Sequence, residues 1–227
     1  MSLKIIHTAD WHLGQTFFGY DRDEEHEAFL SWLIDILTLR QTDVLLIAGD
    51  VFDVANPSAA AQRRFFRFLR EANRRNPQLQ IVIIAGNHDS AARLEAPIPL
   101  LEELNTSIVG VVPRTDLCKI DFDSLLIPLY NKEGKREAIC LAVPYLRQGD
   151  YPASKEGKDT YVATNKTHIQ KAKGISNEAI PTVTGSGSVK KNTQFGMINN
   201  RANKKYKCSC EDIQRINLVK YFIQSKL

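Results

Sequence analysis

An α/β fold with a largely parallel sheet is predicted by three features of this sequence. Short apolar runs alternate with amphipathic helical stretches, the runs are apolar almost throughout, and several end in a small residue followed by a polar one. Lys4 to Ala9 (KIIHTA) is the first β-rich run. Glu24 to Arg40 reads as a helix, with Phe29, Leu33, Ile36 and Leu37 on one face and Asp21, Asp23, Glu24 and Glu25 at its positive end. Asp43 to Ala48 (DVLLIA) has the composition of a strand covered on both faces. Ser58, following Pro57, opens a second helix running to about Arg75. Gln80 to Ala85 (QIVIIA) is another buried strand and Pro97 to Leu104 a short helix. Ser107 to Val112, Leu125 to Leu129 and Ala138 to Val143 are further strands.

The net charge of +4 conceals a break. Residues 1–154 hold 16 Lys and Arg against 21 Asp and Glu, whereas residues 155–227 hold 14 against 5. The preferred base also changes, from Arg to Lys, and a shift this sharp marks a boundary. Past about Asp150 the strand–helix alternation stops. The stretch GSGSVKKNTQFGMINNRANKKYK reads as loop or disorder, with a weak helical pattern only at Ile213 to Ile223. No apolar stretch follows a basic start and no apolar run is long enough to cross a bilayer, so neither a signal peptide nor a membrane partner is expected. Cys118, Cys140, Cys208 and Cys210 lack disulfide-framework or zinc-site spacing, as expected for a reduced, cytoplasmic protein.

One pattern recurs three times: an apolar strand, a small residue, then side chains of metal-ligand type. KIIHTA leads into Asp10-Trp11-His12, DVLLIA into Gly49-Asp50-Val51-Phe52-Asp53, and QIVIIA into Gly86-Asn87-His88-Asp89. Functional groups in open α/β sheets gather beyond the carboxyl ends of strands, so three such tips are expected to converge on one crevice. Carboxylate, imidazole and amide carbonyl together suit Mn²⁺, Fe²⁺ or Zn²⁺ better than Ca²⁺. Asp10 and His12, two apart on an extended strand end, would point the same way and grip one ion. Asp50 is the natural bridge between two ions, with Asn87 on the second. Two ions about 3.5–4 Å apart polarise a phosphate and activate a bridging water. His88 would then serve as general acid, oriented by Asp89. A D-x-H alone is more often a turn than a ligand, and a lone GD after a strand is commonly a helix cap. The three in this order, each at a strand end, point to a site.

DWHLG, GDVFD and GNHD resemble the first three motifs of the calcineurin-like metallophosphoesterases. The wider stretches HTADWHLGQ, LLIAGDVFDVANPS and IAGNHDSAARLEA are similar to the bacterial DNA-nuclease branch of that family, from about Leu3 to about Pro152. The resemblance implies a sandwich of parallel and mixed sheets with flanking helices. It also implies a manganese-dependent nuclease with 3′–5′ exonuclease and hairpin-opening activity in DNA recombination and repair. Such a nuclease works with a partner ATPase and forms a homodimer. By position, Asp10, His12, Asp50 and Asn87 match metal ligands and His88 the catalytic histidine.

The family carries two further histidine motifs downstream, whereas here only His168 lies beyond residue 150, in NKTHIQK. The second ion is thereby left with Asp50 and Asn87, and a catalytically silent fragment is an alternative reading. A small-substrate phosphatase is another. Much of the family's second sheet is also expected to be missing, leaving a sheet face short of cover. Residues 155–227 are expected to be foreign to the family, the product of truncation or frameshift. Finally, Arg63, Arg67, Arg70 and Arg74 form a stripe along the second helix, either a phosphate-tracking surface or a solvated face. Phe65, Phe66, Phe68 and Leu69 beside it are either dimer interface or plain core.

Overall fold

The computed structural model describes residues 3–114, 121, 123–146, 182–183 and 194–199. Strand β1 (Ile5–Thr8) is followed by a small hairpin, β2 (Thr16–Phe17) and β3 (Tyr20–Asp21), and by helix α1 (Asp23–Leu39). Strand β4 (Val44–Ala48), helix α2 (Ala59–Arg75) and strand β5 (Gln80–Ile84) come next. Two short helices, α3 (Ala91–Glu95) and α4 (Ile98–Leu101), precede β6 (Thr106–Val109). Strands β7 (Leu126–Tyr130) and β8 (Arg136–Val143) complete the continuous part, and β9 (Thr182–Val183) and β10 (Gln194–Asn199) lie further along.

The first sheet has the order β1-β4-β5-β6 and is parallel throughout, with Leu46 opposite Val82 and Ile83 opposite Ile108 in register. The near-continuous apolar sequences of β4 and β5 follow from its position, because both faces are covered. Leu45, Ile47, Ile81 and Ile83 face α1 and α2, packing with Leu33, Leu37, Phe65, Phe68 and Leu69. Their alternates Val44, Leu46, Ala48, Val82 and Ile84 face the second sheet, against Leu125, Ile127, Leu129 and Cys140. Each such aliphatic side chain, fully buried, contributes about 1.5–3 kcal/mol.

The second sheet has the order β7-β8-β10-β9, with β8 antiparallel to both neighbours. The face expected to lack cover is therefore covered, since Val44, Val82 and Ile84 are fully buried beneath β7 and β8. Strand β10 falls inside the stretch expected to be loop. Its six residues pair with Ala138 to Val143 and satisfy backbone groups that an open edge of β8 would leave unpaired. His168 and the segment Ile213 to Ile223 lie outside the described residues.

The aromatic side of α2 is largely core, because Phe65, Phe68 and Leu69 are buried between helix and sheet. Ser58 caps this helix, its hydroxyl accepting from the amide of Ala61 at 3.1 Å. Of the arginine stripe, Arg67 pairs with Glu27 at 3.4 Å and Arg74 with Glu71 at 2.6 Å, while Arg63 and Arg70 are exposed. The buried arginine is Arg64, which joins α2 to α1 through Asp23 at 2.8 Å and Glu27 at 3.1 Å.

Beside Arg64, His26 is buried in the first turns of α1. Burial, reinforced by the charges of Arg22 and Arg64, lowers its pKa to about 4. The unfolded chain has a histidine near 6.5, so between pH 6.5 and 4 it takes up a proton that the folded chain refuses. Folding stability is thus expected to decrease as pH is lowered from 6.5 to 4, by up to roughly 3 kcal/mol. Urea midpoints measured at intervals through the window check this, and His26→Leu should flatten the slope. Among the described residues, no helix is long and apolar enough to cross a membrane.

Candidate metal centre

The chain leaves β1 into a turn built from backbone that L-residues seldom adopt. Asp10 has φ 56° and His12 φ 49°, both left-handed, where an extended strand end was expected. Trp11 between them turns the other way, into the core, edge-on to Phe29, Phe65 and Phe68, and its indole N–H donates to Thr8 Oγ1 at 3.0 Å. A large buried anchor flanked by two polar side chains therefore sets which residues stay at the rim. The turn runs alongside the loop after β4: the amides of Asp10, His12 and Leu13 donate to the carbonyls of Gly49, Asp50 and Val51 at 2.9–3.1 Å.

In that second loop Gly49 has φ 81° and Asp50 φ 50°. Glycine carries the first of these without penalty, whereas the strain at Asp50 is held by packing on all sides. The Asp50 carboxylate is buried, with Oδ1 accepting the His88 amide at 3.0 Å and Oδ2 lying 4.0 Å from His12 Nε2. Donor atoms of Asp10, His12 and Asp50 all lie within 4.8 Å of one another. Asp10, His12 and Asp50 are therefore brought together, through left-handed turns rather than by alternation along a strand.

The third loop approaches Asp50 closely. A methyl group at Gly86 would overlap both the amide nitrogen and the carboxylate of Asp50, so this position admits no side chain without movement. Asn87 stands exposed at the turn, and His88 is half-buried. The imidazole of His88 crosses that of His12 edge to face, with centroids 4.8 Å apart. Its Nδ1 lies 2.6 Å from the backbone carbonyl of Asp53, which thus orients the ring.

Asp89, expected to orient His88, holds backbone of the second and third loops. Its buried carboxylate accepts from the amides of Gly86 at 2.8 Å, Phe52 at 3.0 Å and Val51 at 3.2 Å, tying the third loop to the second. Burial pushes the Asp89 carboxyl upward, against the opposing pull of those donors.

Sequence reasoning left one residue without a role. Asp53 places Oδ1 3.1 Å from His12 Nδ1, and its donor atoms group with those of His12 and His88 within 4.8 Å. Oδ1 also accepts from Gln15 Nε2 at 3.2 Å, and Arg22 donates to Gln15 Oε1 at 2.7 Å. The signal available was the second carboxylate in GDVFD, three residues after Asp50.

A layered α/β sandwich with carboxylates and imidazoles gathered at the strand ends defines a metallophosphoesterase. A family model described as calcineurin-like phosphoesterase matches residues 3–169, and the chain belongs to that family. The match runs past the change of composition at residue 154. Among curated proteins, the chain is similar to the D component of the nuclease SbcCD of Rhodobacter capsulatus, 48% identical over 157 residues, covering 69% of this chain and 38% of that protein. The same component of the Escherichia coli K12 nuclease is 35% identical over 158 residues, 68% of this chain and 36% of the relative. That of Bacillus subtilis is 40% identical over 122 residues, 54% and 31% respectively. The chain thus spans between 31% and 38% of the length of these relatives.

Proposed function

We propose that this chain carries the first three ligand-bearing loops of a metal-dependent DNA phosphodiesterase. The observation that carries the reading is the convergence of Asp10, His12 and Asp50 on one point of the sheet rim, with His88 against His12. Mixed carboxylate and imidazole donors fit a divalent transition metal, and Mn²⁺ is the ion we assign. Bound ions would polarise the phosphate and supply an activated water. Asp10 and His12 would hold one ion, Asp50 would face both, and Asn87, exposed at the third turn, would serve the second. His88, its Nδ1 fixed on a carbonyl, would have Nε2 free to protonate a leaving oxygen as general acid. The similarity to the D component of SbcCD supports a nuclease that works beside an SbcC component. To this reading belong DNA as substrate, an ATPase and a second copy of the chain as partners, a role in recombination and repair, and a cytoplasmic setting.

The donor count separates the two ions. Among the described residues, three protein donors would serve the first, whereas Asp50 and Asn87 would serve the second without the imidazole that gives a transition metal much of its affinity. One tight ion per chain is the corresponding expectation, together with weak catalysis by this chain alone; the basic residues 155–227 supply no glycine-preceded histidine. The test is Mn²⁺-dependent digestion of linear duplex DNA with metal titration alongside. Asp50→Ala is expected to lower the rate by about 10³-fold or more. A mutant that digests as fast as the parent overturns the reading, and two tight ions per chain would overturn the impaired second position.

A further inference from the structure

His12 sits between two carboxylates, one at each ring nitrogen. Nε2 lies 4.0 Å from Asp50 Oδ2, and Nδ1 lies 3.1 Å from Asp53 Oδ1. An imidazole that ligates through Nε2 must carry its proton on Nδ1, and that proton needs an acceptor. His12 Nδ1 is buried and lacks an aligned hydrogen bond, with Asp53 Oδ1 within reach after a small rotation of the carboxylate. The position of that carboxylate is itself constrained, since Gln15 donates to it at 3.2 Å and Arg22, paired with Glu25 at 2.6 Å, holds Gln15 at 2.7 Å. The second imidazole depends on the same residue by a different atom: the backbone carbonyl of Asp53 accepts from His88 Nδ1 at 2.6 Å. A carbonyl only accepts, so His88 also carries its proton on Nδ1.

Resting on the metal-centre reading above, we infer that Asp53 is a positioning residue that sets the tautomer of both imidazoles, His12 through its carboxylate and His88 through its backbone, so that both present Nε2 to the site. The chain Arg22–Gln15–Asp53–His12 links the base of the β2–β3 hairpin to the ligand. Carboxylates behind ligating histidines fix ring orientation and raise basicity, and removing one typically costs about 10–100-fold in metal affinity.

The two routes make the inference separable by mutation. In metal-free protein, long-range ¹H–¹⁵N spectra of the imidazoles should show His12 and His88 protonated at Nδ1. Asp53→Ala should release His12 to a mixture of tautomers while His88, held by a main-chain oxygen, keeps its own. Mn²⁺ affinity, measured by calorimetry, should fall about 10–100-fold. Asp53→Asn keeps an acceptor oxygen and should restore the His12 tautomer and most of the affinity. An Asp53→Ala protein with the parent's His12 tautomer and parent affinity overturns the inference, as does an Asp53→Asn protein no better than the alanine variant. A parent protein that binds no Mn²⁺ at all would instead count against the metal-centre reading, and the tautomers of the metal-free protein would still decide the role of Asp53.

Discussion

Gly86→Ala is expected to dismantle the site and lower the thermal midpoint by about 5–15 °C. The added methyl group would occupy space already taken by the Asp50 amide and carboxylate. Both loops spring from adjacent strands, with Ala48 paired to Ile84, so neither can yield without disturbing the parallel register. Overpacking of this kind costs about 1–3 kcal/mol and more where backbone is struck, and about 2–4 °C per kcal/mol is typical at this size. The same displacement breaks the His88 amide bond to Asp50 Oδ1 at 3.0 Å and the Gly86 amide bond to Asp89 Oδ2 at 2.8 Å. The proposed Mn²⁺ binding should be lost together with stability. Calorimetry and a thermal melt on the same sample check this, and a variant matching the parent in both would show that the third loop yields more freely than its packing implies.

Asp89→Ala is expected to be the most destabilising substitution near the site that removes no proposed ligand. It would strip the acceptor from three amides, those of Val51, Phe52 and Gly86. Each buried donor left unsatisfied costs about 1–3 kcal/mol, so a loss of roughly 3–6 kcal/mol is anticipated after allowing for relaxation and water entry. Asp89→Asn should fall between, since its NH₂ group meets at least one amide donor head-on. Denaturant unfolding gives the magnitude. Hydrogen exchange at the three amides gives the location: acceleration confined to them marks the clamp, whereas uniform acceleration would assign Asp89 a diffuse role.

Much of the fold was legible because the signals were long and periodic. Runs such as VLLIA and IVIIA, dominated by unbroken burial, reported a sheet covered on both sides. The helix Asp23–Leu39 declared itself by its face and its acidic start. The hairpin Thr16–Asp21 did not, because two-residue strands carry no alternation to read, and β10 went unread because pairing with the edge of β8 is a long-range matter. The grouping at the site was visible as three strand ends with donor residues. Its geometry was not: Asp10, His12 and Asp50 adopt positive φ, and nothing about an aspartate or histidine in sequence announces that. For the same reason Asp53 and Asp89 stayed ambiguous, since side chain and main chain contribute separately and only the fold shows which atom meets which imidazole or amide.

The amide of Tyr145 donates to the carbonyl of Ala85 at 2.9 Å, one residue before the Gly86 turn. Polypeptide leaving the second sheet therefore sets out from beside the donors rather than from the opposite end of the sandwich. The strand that leads into Gly86 is thereby gripped from both layers of the sandwich, by β4 at its side and by the end of β8 across its tip, so a disturbance of either layer reaches the third loop.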